Sequence, residues 1–138
     1  MFRNILVAFD GSDPARKAFD VALDMARRYA SEIHVVAVAR PPEFAEEVET
    51  RAVVENARAH LERQFGALQS RARQAGMNPH LRVRVGHPAE QIVRDAEEHR
   101  IELILLGHRG HGVFDRWVLG SISRMVIAYS QCAVMVVR

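Results

Sequence analysis

Apolar and polar residues alternate along this chain in two rhythms. Short runs that are apolar on both faces are followed by longer stretches with an apolar position every three or four residues. The first run, residues 3–9 (Arg-Asn-Ile-Leu-Val-Ala-Phe), predicts a central parallel strand. Asp10-Gly11-Ser12-Asp13-Pro14 breaks it, with Asp13 read as the helix N-cap and Pro14 as the first helical residue. A helix to about Ala30 follows, with Ala18, Ala22, Met25, Ala26 and Tyr29 inward. Residues 32–39 predict a second strand, stopped by Pro41-Pro42. A long helix from about Val48 to Ala75 carries Val54, Ala57, Leu61, Phe65, Leu68 and Ala72 at helical spacing, and Gly76 ends it.

Residues 80–85 alternate (Leu81, Val83, Val85) and predict a third strand near the sheet edge. Gly86-His87-Pro88 opens a helix that ends near Arg100, with Ile92, Val93 and Ala96 inward. Residues 101–106 predict a fourth, buried strand. A fourth helix spans about Ser121 to Ser130 with Ile122, Met125, Val126 and Tyr129 inward, and residues 133–137 form a fifth strand. Strict alternation of five strands and four helices predicts one domain, residues 1–138. Its fold class is α/β, a doubly wound, Rossmann-like parallel sheet of order 3-2-1-4-5 with helices on both faces. Ligands of such sheets sit beyond the carboxyl ends of the strands, where the order reverses. The two strands that end in unusual chemistry are the first, at Asp10, and the fourth, at Gly107, and they are expected side by side there.

Composition adds exclusions. With 138 residues, 49% hydrophobic and 26% charged, the chain has the balance of an ordinary globular domain. No apolar run approaches membrane-span length, so no membrane partner is expected. The chain enters a strand at once, which leaves no signal peptide and predicts a cytoplasmic location. The single cysteine, Cys132, excludes an internal disulfide and reads as an inert core thiol. Basic residues are interspersed with acids, without interleaved aromatics, so nucleic acid is not an expected partner. Lys17 is the one lysine, which removes most lysine-based chemistry.

The candidate chemistry lies in Gly107-His108-Arg109-Gly110-His111-Gly112 and in Gly120-Ser121-Ile122-Ser123. Strand, glycine-rich loop and helix N-terminus together make a phosphate site without a cationic side chain: glycines allow close approach, and free N–H groups and hydroxyls suit an anion. The Walker lysine motif is missing. So are a Gly-x-Gly-x-x-Gly after the first strand and the paired acids of a receiver domain. His87, His108 and His111 have no acid or cysteine to complete a metal pattern and read as loop residues near the nucleotide mouth.

The chain resembles the universal stress protein family, on Ile5-Leu6-Val7-Ala8-Phe9-Asp10-Gly11-Ser12, on Val85-Gly86-His87-Pro88-Ala89-Glu90-Gln91-Ile92, and on residues 106–112 continuing through 119–123 to the Val-Met-Val-Val-Arg end. The family's nucleotide motif (Gly, two residues, Gly, nine residues, Gly, then Ser or Thr) falls on Gly107, Gly110, Gly120 and Ser121 without a gap. The resemblance implies that Asp10 and the backbone of Val38 hold the adenosine half of ATP. It implies that Gly107 and Gly110, with Arg109 between them, admit the ribose and phosphates. Gly120, Ser121 and Ser123 would bind the triphosphate with Mg²⁺. Two departures stand out: His108 takes the place of a small hydroxylated residue, and Tyr129-Ser130-Gln131-Cys132-Ala133 replaces a His-Ala-Pro-Cys-Pro ending.

With no nucleophile beside a base, no paired carboxylates and no catalytic lysine, the expectation is an ATP-binding stress-response regulator without efficient turnover. The family's habit of pairing its last strand implies a homodimer through strand 5. The alternatives are a slow ATPase or self-phosphorylating protein, using Ser121 or Ser123 as acceptor or Asp10 as metal ligand, and a nucleotide-free interaction dimer.

Overall fold

The computed structural model describes residues 1–44, 46–108 and 119–138. The elements run β1 (Asn4–Ala8), α1 (Asp13–Tyr29), β2 (Glu32–Ala39), α2 (Glu47–Gln74), β3 (His80–Val85), α3 (Pro88–Glu98), β4 (Leu103–Gly107), α4 (Ser121–Tyr129) and β5 (Ala133–Val137). The five strands form one sheet of order β3-β2-β1-β4-β5, with every neighbouring pair parallel. The predicted fold class and strand order are those observed.

Side chains along a strand alternate between faces, and the core divides accordingly. Ile5 and Val7 of β1 join Phe19, Leu61, Phe65 and Leu68 beneath α1 and α2. Leu6 joins Val36, Ile92, Ile104 and Val126 beneath α3 and α4. α2 closes as expected: Gly76 adopts φ +76°, and Met77 N–H donates back to Ala72 O at 2.8 Å.

Three local expectations are corrected. Ser12, not Asp13, is the N-cap of α1, because its hydroxyl accepts from Ala15 N–H while Asp13 and Pro14 fill the first turn. Tyr29 is exposed, turned to meet Phe2 edge-on at 5.6 Å. In α4 only Val126 is fully buried; Tyr129 is 69% exposed and Met125 36%. A helix of nine residues beside the last strand of the sheet has little body to cover, so its apolar stripe is wider than its buried face.

Candidate functional site

β1 and β4 lie side by side, Ile5 opposite Leu103 and Val7 opposite Leu105. The helix after β1 crosses to one face of the sheet and the helix after β4 to the other. This divergence opens a cleft of about 340 Å³ at the carboxyl ends of the strands. That volume is within the range of small-molecule sites. Its floor is Ala8 and Phe9 of the first strand end, Val36 and Val38 of β2, and Leu106 and Gly107 of β4. Ser12 and Ala15 of α1 form one side, Pro88 and Ile92 of α3 another, and Gly120 to Ser123 of α4 a third.

Six of the eight candidate residues therefore converge on one cavity: Asp10, Val38, Gly107, Gly120, Ser121 and Ser123. Arg109 and Gly110 lie outside the described residues, as do His111, Phe114 and Trp117. His108 does not obstruct the cleft. It is buried, it is not among the lining residues, and its backbone N–H donates to Val137 O at 2.8 Å.

The two helix N-termini at the cleft differ. α1 is closed by its own side chains: Ser12 Oγ accepts from Ala15 N–H at 3.3 Å and donates to Asp10 Oδ1 at 2.5 Å, and Ser12 N–H donates to the same oxygen at 3.0 Å. α4 begins at Gly120, which has no side chain to offer, and among the described residues none caps its first turn. Ser121 and Ser123 follow as helical residues, so neither serves as the cap. The first-turn N–H groups of a helix, left without a cap, carry partial positive charge suited to an anion.

Gly107 has a second reason to be glycine. A Cβ there would lie 2.4 Å from Pro14 C and 2.7 Å from Ala15 N. The missing side chain leaves room for the first turn of α1, a packing role beside the ligand approach expected of this position. Among the described residues nothing lies within 4 Å of where a Cβ on Gly120 would stand.

A polar cluster that the sequence did not signal sits under α3, between β2 and β3. Asp95 is fully buried and meets Arg82 at two points, Nη2 to Oδ1 at 2.7 Å and Nε to Oδ2 at 2.9 Å. Arg84 bonds Glu98 and Gln91, and its Nη1 reaches Asp95 Oδ2 at 3.4 Å. The Arg84 guanidinium holds the Glu98 carboxyl below its ordinary range. His34, also buried, stacks on His80 at 4.6 Å and approaches His99 at 5.7 Å. Arg82 Nη1 lies 3.0 Å from His34 Nδ1, and Asn4 Oδ1 lies 3.2 Å from its Nε2. A guanidinium only donates, so Nδ1 accepts and the ring proton sits on Nε2. Glu32, His34 and His80 bring three donor atoms within 4.8 Å of one another. With Nε2 protonated and Arg82 on the other nitrogen, the polarity is opposite to that of a metal-binding histidine, whose second nitrogen donates outward. Cys132 packs beside the α3/α4 cluster, and burial pushes its thiol pKa up, as an inert thiol requires.

Comparison with known proteins places this architecture. The family model described as the universal stress protein family matches residues 1–138. The chain belongs to the universal stress protein family. The universal stress protein YxiE of Bacillus subtilis is 30% identical, with all of both chains covered. Universal stress protein UspA from Lactobacillus plantarum superposes with a TM-score of 0.80 at 27% identity, covering 99% of this chain and 98% of that one. A universal stress protein solved in complex with cAMP has the same fold, with a TM-score of 0.68 at 24% identity over 99% and 97% of the two chains. Among the described residues no helix is long and apolar enough to cross a membrane.

Proposed function

We propose that this chain binds an adenine nucleotide, ATP with Mg²⁺, in the cleft between β1 and β4, and acts as a stress-response regulator without efficient turnover. One observation carries the reading: the first turn of α4, which no described residue caps and which carries Ser121 and Ser123, lines a cleft with an apolar wall at Val36, Val38 and Ile92. Val36, Val38 and Ile92 suit a flat base, and the amides and hydroxyls of residues 120–123 suit phosphates. Each such bond to a charged group is worth roughly 1.5–3 kcal/mol. Asp10 and the Val38 backbone take the adenosine half, Gly107, Arg109 and Gly110 the ribose and phosphates. Ser121 and Ser123 offer oxygen donors of the kind that a hard cation accompanying the triphosphate prefers. The cAMP complex of a protein with this fold is compatible with this reading.

We read the molecule as a cytoplasmic homodimer through β5. Among the described residues that strand pairs only with β4, and Ala133 and Met135 are exposed on it. An open apolar edge is a surface that a second copy can cover. A monomer in analytical ultracentrifugation at micromolar concentration would remove the dimer from this reading.

The test of the nucleotide is melting with and without millimolar ATP·Mg²⁺, since a ligand of the folded state raises Tm by mass action. A rise that disappears in Gly110→Val supports the site. No rise, and no nucleotide released on boiling the purified protein, favours the nucleotide-free interaction dimer instead.

A further inference from the structure

The edge of the sheet opposite β5 is held together differently from the rest of the core. α3 rests on β1, β2 and β4 through Ala89, Ile92 and Ala96, but it joins β3 through Asp95 and Glu98, which meet Arg82 and Arg84. His34 stands behind this ion pair, on β2. It faces Asn4 from β1, Glu32 on its own strand, His80 and Arg82 from β3, Asp95 from α3, and His99, which caps the end of α3. The neutral ring completes the cluster: it accepts from Arg82 on one side and donates to Asn4 on the other.

We propose that neutral His34 is the pin of a latch that holds α3 on the sheet, and that protonating it loosens α3 and weakens nucleotide binding in the cleft. The effect on the cleft rests on the nucleotide reading above; the latch itself does not. A proton on Nδ1 would set two donors against each other at 3.0 Å and add a positive charge beside a guanidinium. Asp95 offers limited relief, because Arg82 and Arg84 already neutralise it. Either His34 or Arg82 must move, and Arg82 is tied to α3 by two bonds. α3 is a single helix of 11 residues, and Ile92, one turn from Asp95, lines the cleft with Pro88. A displacement at Asp95 therefore reaches the cleft wall through a rigid element. Burial, and then the charges of Arg82, His80 and His99, push the His34 pKa down to about 4, so the latch stays closed at neutral pH and opens in acid.

The experiment uses the whole chain and His34→Gln, whose side-chain oxygen can accept from Arg82 and never becomes charged; His34→Asn replaces it if that variant does not fold. Amide exchange in residues 88–98, corrected for the intrinsic effect of pH, and ATP·Mg²⁺ affinity are followed from pH 7 to 3.5. In the parent chain, α3 should lose protection as His34 titrates. Its affinity relative to the variant should fall about twofold at the His34 midpoint and more steeply below it. The ratio cancels the titration of the nucleotide itself. Equal loss of α3 protection in both proteins overturns the latch. Opening of α3 with a flat affinity ratio overturns its control of the cleft. If no nucleotide binds at any pH, the proposed function falls, and the exchange data alone decide the latch.

Discussion

Gly107 and Pro14 touch where β4 meets the start of α1: a Cβ on Gly107 would lie 2.4 Å from the Pro14 carbonyl carbon and 2.5 Å from its oxygen. Both neighbours are backbone, and the turn that holds them is fixed by the Ser12 cap. Gly107→Ala must therefore push α1 outward or bend β4. Forcing volume into a packed site costs about 1–3 kcal/mol. Urea unfolding of Gly107→Ala should show a midpoint lowered to match, with the slope unchanged. A midpoint equal to that of the parent would mean the contact yields freely and the glycine is not required by packing.

The Asp95 carboxylate is fully buried between two arginines. Asp95→Ala leaves both guanidinium groups facing each other with nothing between them. Removing one partner of a buried pair costs roughly 3–5 kcal/mol, and the low end applies here because both arginines keep some access to water. Replacing Arg82 and Asp95 together, by Met and Leu, should recover most of that loss. A double-mutant cycle read by urea unfolding measures the coupling, and additive single losses would show that the pair is not coupled.

The residues that defeated sequence reading and those that did not differ in how far their partners lie along the chain. β2 over 32–39 and β5 over 133–137 were legible because an apolar run between breakers needs no distant information. The Gly107, Gly110, Gly120, Ser121 spacing is likewise local, and of the eight residues that the family resemblance built on it implied, six line the cleft. Ser12 and Asp13 are both good cap residues, so a one-residue shift in helix start could not be decided locally. Met125 and Tyr129 keep helical spacing with Val126, yet their exposure depends on where the sheet ends. His34, Arg82 and Asp95 are 48 and 13 residues apart, and only the β2/β3 register, with His34 opposite His80, brings them together. Read in sequence, each is an ordinary polar residue.

Ser123 gives a way to separate phosphate binding from helix stability. It lies in the first turn of α4 and lines the cleft. An acid there interacts favourably with the helix N-terminus and should stabilise the unliganded protein by roughly 0.3–1 kcal/mol. The same charge repels a triphosphate from the amides that would hold it. Ser123→Asp is therefore expected to melt slightly higher than the parent without ligand and to lose the rise produced by ATP·Mg²⁺. Retention of the full rise would place the phosphates elsewhere.

His34 also makes the acid stability of the whole chain predictable. Its pKa is about 4 folded, against 6.5 for an unperturbed histidine. The unfolded chain therefore takes up its proton first, and stability falls as pH drops. The contribution is present in full above pH 6.5, declines through the interval, and is lost below about 4. At about 1.4 kcal/mol per unit, the whole swing is worth up to roughly 3.5 kcal/mol. His34→Gln has no proton to gain, so its urea stability should decline less over this range. The carboxylates common to both proteins, among them Glu98 with its lowered pKa, give the decline that remains. The difference between the two curves isolates His34: a gap that widens steadily from pH 6.5 to 4 is expected. Curves that run parallel would mean that the folded His34 takes up its proton as readily as the unfolded one, and that burial beside Arg82 does not hold it neutral.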